Sequence, residues 1–260
     1  MNKVSVMSGL VLCLYGSLSS GKVWAHGDAR LGVEPVNETA FSAGQISYDF
    51  QILDLKRKIV LKDADFNSLN DQKVHLFVYD PGLKKLQHLN AKYTGSAWHV
   101  DLSLAQDGNY WVWAEGELAF DKTDGYGSTR LQVTHGSPMD TVGPEVEEKR
   151  VGSDGTSQVK LSMDPIVKEK EAMLMLTYSR RDGSAPQITP FLGEMGQAII
   201  VSEDGDWLSH SHVMSRGPEM LMLHVTFPEE GNYRIWVQYL DAGILKTVSL
   251  AVAVGASSEN

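Results

Sequence analysis

"WHVDLSLAQDGNYWVW" (98–113) and "LMLHVTFPEEGNYRIW" (221–236) are the two stretches on which the fold turns. Val100, Leu102 and Leu104 alternate with polar neighbours in the first, and Leu223, Val225 and Phe227 do so in the second. A period of two is that of a strand with one face in a core. Each stretch then turns and runs through Gly-Asn-Tyr into an apolar run that ends in Trp. A tyrosine at that point resembles the corner residue of an immunoglobulin-like sandwich, whose hydroxyl is tied to nearby backbone and pins the crossover between sheets.

The chain repeats itself upstream as well. "HLFVYDPGLKKLQH" (75–88) and "QAIIVSEDGDWLSH" (197–210) share an apolar run, a Gly-containing turn and a terminal His. The first pair of stretches is offset by 123 residues and the second by 122, in the same order, which points to an internal duplication. Gly-containing turns punctuate both halves, and no long stretch has a helical period. The expected fold is all-β, with two tandem immunoglobulin-like β-sandwich domains at 45–135 and 157–254. Residues 26–44 read as a polar lead-in, 136–156 as a linker rich in Gly, Pro, Ser and charge, and 255–260 as a tail.

The N-terminus reads as a secretory signal peptide over 1–25. Lys3 precedes an apolar run from Val4 to Tyr15, and Val23 and Ala25 are small residues at a cleavage site. Cleavage there would make His26 the first residue and would remove Cys13, the one cysteine. An exported chain without disulfides must rest on packed cores, and its expected place is the periplasm. No later segment is long and apolar enough to span a bilayer as a helix. The formal net charge of −10 argues against nucleic acid and anionic lipid as partners.

Enzyme signatures are missing: there is no G-x-S-x-G, no H-E-x-x-H and no P-loop. Asp63, Asp65 and Asn67 are spaced like the start of a calcium loop, but Ser68 stands where that loop needs Gly and Val74 where it needs Glu. An acidic turn before a strand is the better reading. The chain is therefore expected not to be an enzyme.

The chemistry-bearing stretch is "WLSHSHVMSRGPEMLMLHV" (207–225). If its strands pair symmetrically about Gly217, Met214 faces Met220, His212 faces Met222 and His210 faces His224. These side chains would then share one sheet face, close enough to grip an ion. Imidazole and thioether without thiolate favour copper, with His210, His212, His224, Met220 and Met222 as ligands. The competing reading makes the methionines core and the histidines ordinary surface residues. In the first copy, His75, His88 and His99 form a weaker candidate set. His26, with a free α-amino group, could chelate copper separately.

"GQAIIVSEDGDWLSHSHV" and "VHLFVYDPGLKKLQHLNA" resemble a family of secreted bacterial sandwich domains with a pattern close to G-H-x-x-x-x-x-x-D-x-x-x-x-x-H-x-H-P. The resemblance covers 45–135 and 157–254. Gln197 replaces the first His and Val213 the Pro of the second copy, and Asn90 replaces the last His of the first. What the resemblance implies is envelope copper or heavy-metal handling. The function expected is thus a non-catalytic periplasmic copper-binding protein. The alternative is an envelope interaction or scaffold module, without metal, that binds a protein or glycan.

Overall fold

The computed structural model describes residues 24–25, 27–28, 30–36, 38, 40–68, 72–138, 148–191, 194–217 and 219–256. The apolar leader run, Cys13, the middle of the expected linker and the end of the tail lie outside the described residues, as does His26. The short strands β1 (Trp24–Ala25) and β2 (Gly27–Asp28) pair with each other.

The first sandwich comprises β3 (Leu31–Pro35), β4 (Ala40–Ser42), β5 (Gly44–Asp54), β6 (Ile59–Leu61), β7 (Val74–Tyr79), β8 (Leu86–Tyr93), β9 (Trp98–Leu104), β10 (Gly108–Glu117) and β11 (Asp124–Thr134). Its strands run β3-β5-β9-β8-β7-β10-β11-β4, with β6 on β5. The second comprises β12 (Val151–Asp154), β13 (Ser157–Ser162), β14 (Ile166–Val167), β15 (Glu171–Arg180), β16 (Ile188–Thr189), β17 (Gln197–Ser202), β18 (Leu208–His212), β19 (Met214–Gly217), β20 (Met220–Thr226), β21 (Gly231–Asp241) and β22 (Ile244–Gly255). It divides into β12-β13-β15-β20-β19 and β14-β22-β21-β17-β18, with β16 on β21. The chain is all-β, two tandem immunoglobulin-like sandwiches, with no α-helix among the described residues.

Each sandwich has its own core. Tyr48, Phe50, Trp98, Leu102 and Val112 lie in the first, and Leu174, Leu223, Phe227, Ile235 and Leu250 in the second. The alternating residues read from the sequence point inward in both. Both tyrosine corners form: Tyr110 Oη donates to the Gln106 carbonyl at 3.0 Å and Tyr233 Oη to the Glu229 carbonyl at 2.9 Å.

Two expectations change. The polar lead-in supplies β3 and β4, because Leu31 and Val33 alternate inward against β5. The linker supplies β12, which pairs with β13 through Val151↔Lys160 and Gly152↔Val159. In both places a short edge strand carries too few apolar residues to reveal its period.

A third core lies between the sandwiches. Phe77, Tyr79, Trp111 and Trp113 from β7 and β10 pack with Ile199, Val201, Leu208 and Trp236 from β17, β18 and β21. Trp113 Nε1 donates to Tyr79 Oη at 2.6 Å, and Tyr79 Oη donates to the Gly205 carbonyl of the other sandwich at 2.6 Å. Gly205 has φ +77°, and a Cβ there would run into the Trp111 indole, so this turn requires glycine.

Candidate functional site

The histidine-bearing strands do not form the predicted hairpin. The chain changes sheets at Val213, which is buried in the second core, so β18 and β19 belong to different layers. β18 pairs with β17, setting Ile199 against His210 and Gln197 against His212. β19 pairs with β20 through Met214↔Met222, with a register shift between Ser215 and Gly217. His224 pairs with Met173 on β15, in the opposite layer from His210. The predicted set therefore splits in two. His210 and His212 lie on one sheet, and Met220, Met222 and His224 on the other. The same switch occurs in the first half, where β8 pairs with β7 as far as Ala91 and with β9 from Lys92.

His210 and His212 meet His75 and His88 at the seam between the sandwiches. Ring centroids stand 5.7 Å apart for His75–His210, 5.5 Å for His88–His210, 5.2 Å for His75–His88 and 5.3 Å for His210–His212. Two pairs of repeat-equivalent contacts hold the cluster: the first pair crosses the seam, and the second has one contact inside each half. His88 Nδ1 lies 2.8 Å from Gln238 Oε1, and His210 Nδ1 lies 2.8 Å from Glu115 Oε2. His75 Nδ1 lies 3.0 Å from His88 Nε2, and Gln197 Oε1 lies 3.1 Å from His210 Nε2.

The tautomers of the first chain follow from its last acceptor. Gln238 Nε2 donates to Thr247 Oγ1 at 3.1 Å, which leaves Gln238 Oε1 to accept from His88 Nδ1–H. His88 Nε2 then accepts from His75 Nδ1–H, and both rings are neutral. Burial lowers His88 to about 3 and His75 to about 4, with the nearby His210 adding to the effect in both. A cleft of about 190 Å³ opens beside the cluster, lined in part by His75, Glu115, Asp124, Tyr126, His210 and His212. Burial raises the Tyr126 hydroxyl and also raises Asp124.

These histidines do not fit a copper site as placed. His88 and His210 each have both ring nitrogens engaged, and among the described residues no group of three His, Cys, Asp or Glu side chains could hold a metal ion. His99 stands apart on β9, with Nδ1 2.7 Å from Asp49 Oδ1 and Nε2 3.5 Å from Asp101 Oδ1. His224 lies 3.5 Å from Glu171. The calcium-like spacing is a single 3₁₀ turn, Asp63–Asp65, whose Asp63 carboxylate is held by Lys73 at 2.5 Å. Sequence reasoning missed Glu115 and Gln238. Their one signal was that both occupy the same place in the repeat.

A family model described as a domain of unknown function, DUF8832, matches residues 149–256, the second sandwich. No curated protein sequence matches the chain. Among solved structures, the chain is similar to the fibronectin(III)-like modules of Clostridium thermocellum CbhA (15% identity, TM-score 0.24, 86% of this chain and 94% of that one). It is also similar to the Escherichia coli adhesin FdeC (11%, 0.27, 87% and 64%) and to invasin, a bacterial integrin-binding protein (13%, 0.27, 87% and 39%). Likeness at this level carries no functional argument, and the fold assignment rests on the sheets and cores themselves. Among the described residues no helix is long and apolar enough to cross a membrane.

Proposed function

We propose that this protein is a non-catalytic interaction module of the cell envelope, in which two sandwiches are fastened together to present their outer surfaces to a protein or glycan partner. The observation that supports this reading is the seam. His75, His88 and His210 have ring nitrogens turned to one another and to Glu115, Gln197 and Gln238, and the His88–Gln238 and His210–Glu115 contacts fasten the halves together. The apolar residues around them form a buried core that ties the two bodies together. Such a body suits a spacer or scaffold better than a reaction chamber.

The test uses the full chain with photo-crosslinking residues on its outer faces, in the cells that make it. A discrete crosslinked envelope partner is expected, and loosening the seam with Tyr79→Phe together with His210→Ala should diminish it while each sandwich keeps its fold. Stoichiometric metal in protein purified from its native envelope, lost in His75→Ala and His210→Ala, would overturn the reading.

A further inference from the structure

The five-stranded layer of the second sandwich has an unusual outer face. Leu174, Leu176 and Tyr178 on β15, with Leu221, Leu223 and Val225 on β20, point into the core. The residues between them point outward. On β15 these are Met173, Met175 and Thr177; on β20 they are Met220, Met222, His224 and Thr226. Met214 on β19 joins them through its pairing with Met222. Five of the chain's ten methionines therefore lie on one sheet face. The neighbouring strand β13 presents Gln158, Lys160 and Ser162 on the same side.

Every apolar side chain on the outer face of β15 and β20 is a methionine. An apolar docking face has no need of that restriction, because Val and Ile suit a strand better. What methionine alone supplies is a soft sulfur on a flexible stem. The registers place three of them in line: Met175↔Met222 from β15 to β20, and Met222↔Met214 from β20 to β19. Directly opposed Cβ atoms on adjacent strands lie about 5 Å apart. Three thioethers from such a row can therefore reach one ion above the middle residue. Met222 is 2% exposed although it shares the outward parity of Met220 and lies outside the core cluster, so it is enclosed on that face. Met173 pairs with His224, one step along the sheet, and offers a fourth ligand of either kind.

We infer that Met175, Met214 and Met222 form a thioether site for a soft monovalent metal ion, Cu(I) by preference, with His224 or Met173 completing its coordination. The histidine seam takes no part. Thioether sulfur favours Cu(I) over Cu(II) and Zn(II), which take imidazole and carboxylate more readily. This site goes beyond the interaction reading, and either can stand without the other.

The experiment titrates the full chain with Cu(I) against bicinchoninate as a coloured competitor, and follows with copper-edge X-ray absorption. The wild type should take one Cu(I) and show sulfur among its scatterers. Met222→Leu should weaken binding at least tenfold, and Met175→Leu/Met214→Leu/Met222→Leu should abolish it with thermal unfolding little changed, since Leu conserves volume. His75→Ala/His210→Ala should bind as the wild type does. Selenomethionine protein provides a check that needs no variant, because copper should then show selenium neighbours. Failure of the wild type to compete for Cu(I), nitrogen-only scattering, or full binding by the triple variant would each overturn the site. In the last case, a partner protein bound through the same methionines would be the remaining role for this face.

Discussion

The two halves share a frame and differ at the seam. His75 in the first corresponds to Gln197 in the second, and the strand pair His75↔Glu115 corresponds to Gln197↔Gln238. Phe77↔Trp113 likewise becomes Ile199↔Trp236. Each half lends a histidine to an acceptor on the other: His88 to Gln238 and His210 to Glu115. One acceptor is a neutral amide and the other a carboxylate. The difference teaches how a repeated surface becomes an asymmetric one. The His88 side stays neutral and buried, while the His210 side is charge-assisted, with its imidazole 3% exposed.

The largest effect expected from breaking this arrangement is at the two equivalent tryptophans. Trp236→Ala should destabilise the chain by about 3–5 kcal/mol through the cavity it leaves. Trp113→Ala should cost more, because it also removes the donor that orients Tyr79. Denaturant unfolding of both variants measures the gap, and equal losses would show that the Tyr79 bond contributes nothing.

Acid comes next. The folded values of His75 and His88 lie below the ordinary 6.5, so the unfolded chain binds more protons in that range. Stability should be full above about pH 6.5 and fall as pH drops toward about 4 for His75 and about 3 for His88. The His75 part amounts to roughly 3 kcal/mol when complete. His75→Gln, which copies the second half, should flatten this acid limb in unfolding experiments across pH 7.5 to 4.5. An unchanged slope would show that His75 titrates alike in both states.

Glu115→Gln makes the two crossing bonds alike and should lower stability by about 1–2 kcal/mol at pH 7, because a charge-assisted bond becomes a neutral one. Gln238→Glu is the mirror experiment, and its shift in the unfolding midpoint tells whether His88 tolerates a carboxylate. The smallest effects belong to the corners. Tyr110→Phe and Tyr233→Phe should each cost about 1 kcal/mol, and equally, since each loses one bond to a carbonyl four residues earlier.

Much of the frame was legible because its signals are local. A strand's period, a glycine turn and a corner tyrosine all fall within sixteen residues, and the repeat doubled each of them. The candidate site was less legible. The apparent symmetry of 207–225 about Gly217 suggested a hairpin, yet burying Val213 sends the chain across to the other sheet. No local pattern distinguishes that crossing from a continuous strand. The partners of His88 and His210 are distant in sequence, at positions 238 and 115. A trace remained in the surplus of large apolar residues on β7 and β10. Phe77, Tyr79, Trp111 and Trp113 are more than a solvated outer face needs, and they mark a covered one. The sequence places the methionines on one face, and Met214, Met220, Met222 and His224 do lie on one, though without His210 and His212.

The reciprocal crossing of His88 with Gln238 and His210 with Glu115 has the form of contact found in a two-fold dimer, where residue i meets j and j meets i. A lone sandwich bearing such a face would be poorly soluble until it met its own copy, and the meeting would depend on how much protein was made. Joining the copies in one chain raises their effective concentration to the millimolar range and removes that dependence. It also removes the demand that one surface be complementary to itself. Each half became free to accept substitutions that suit only its neighbour, and a glutamate on one side with a glutamine on the other is what that freedom leaves behind.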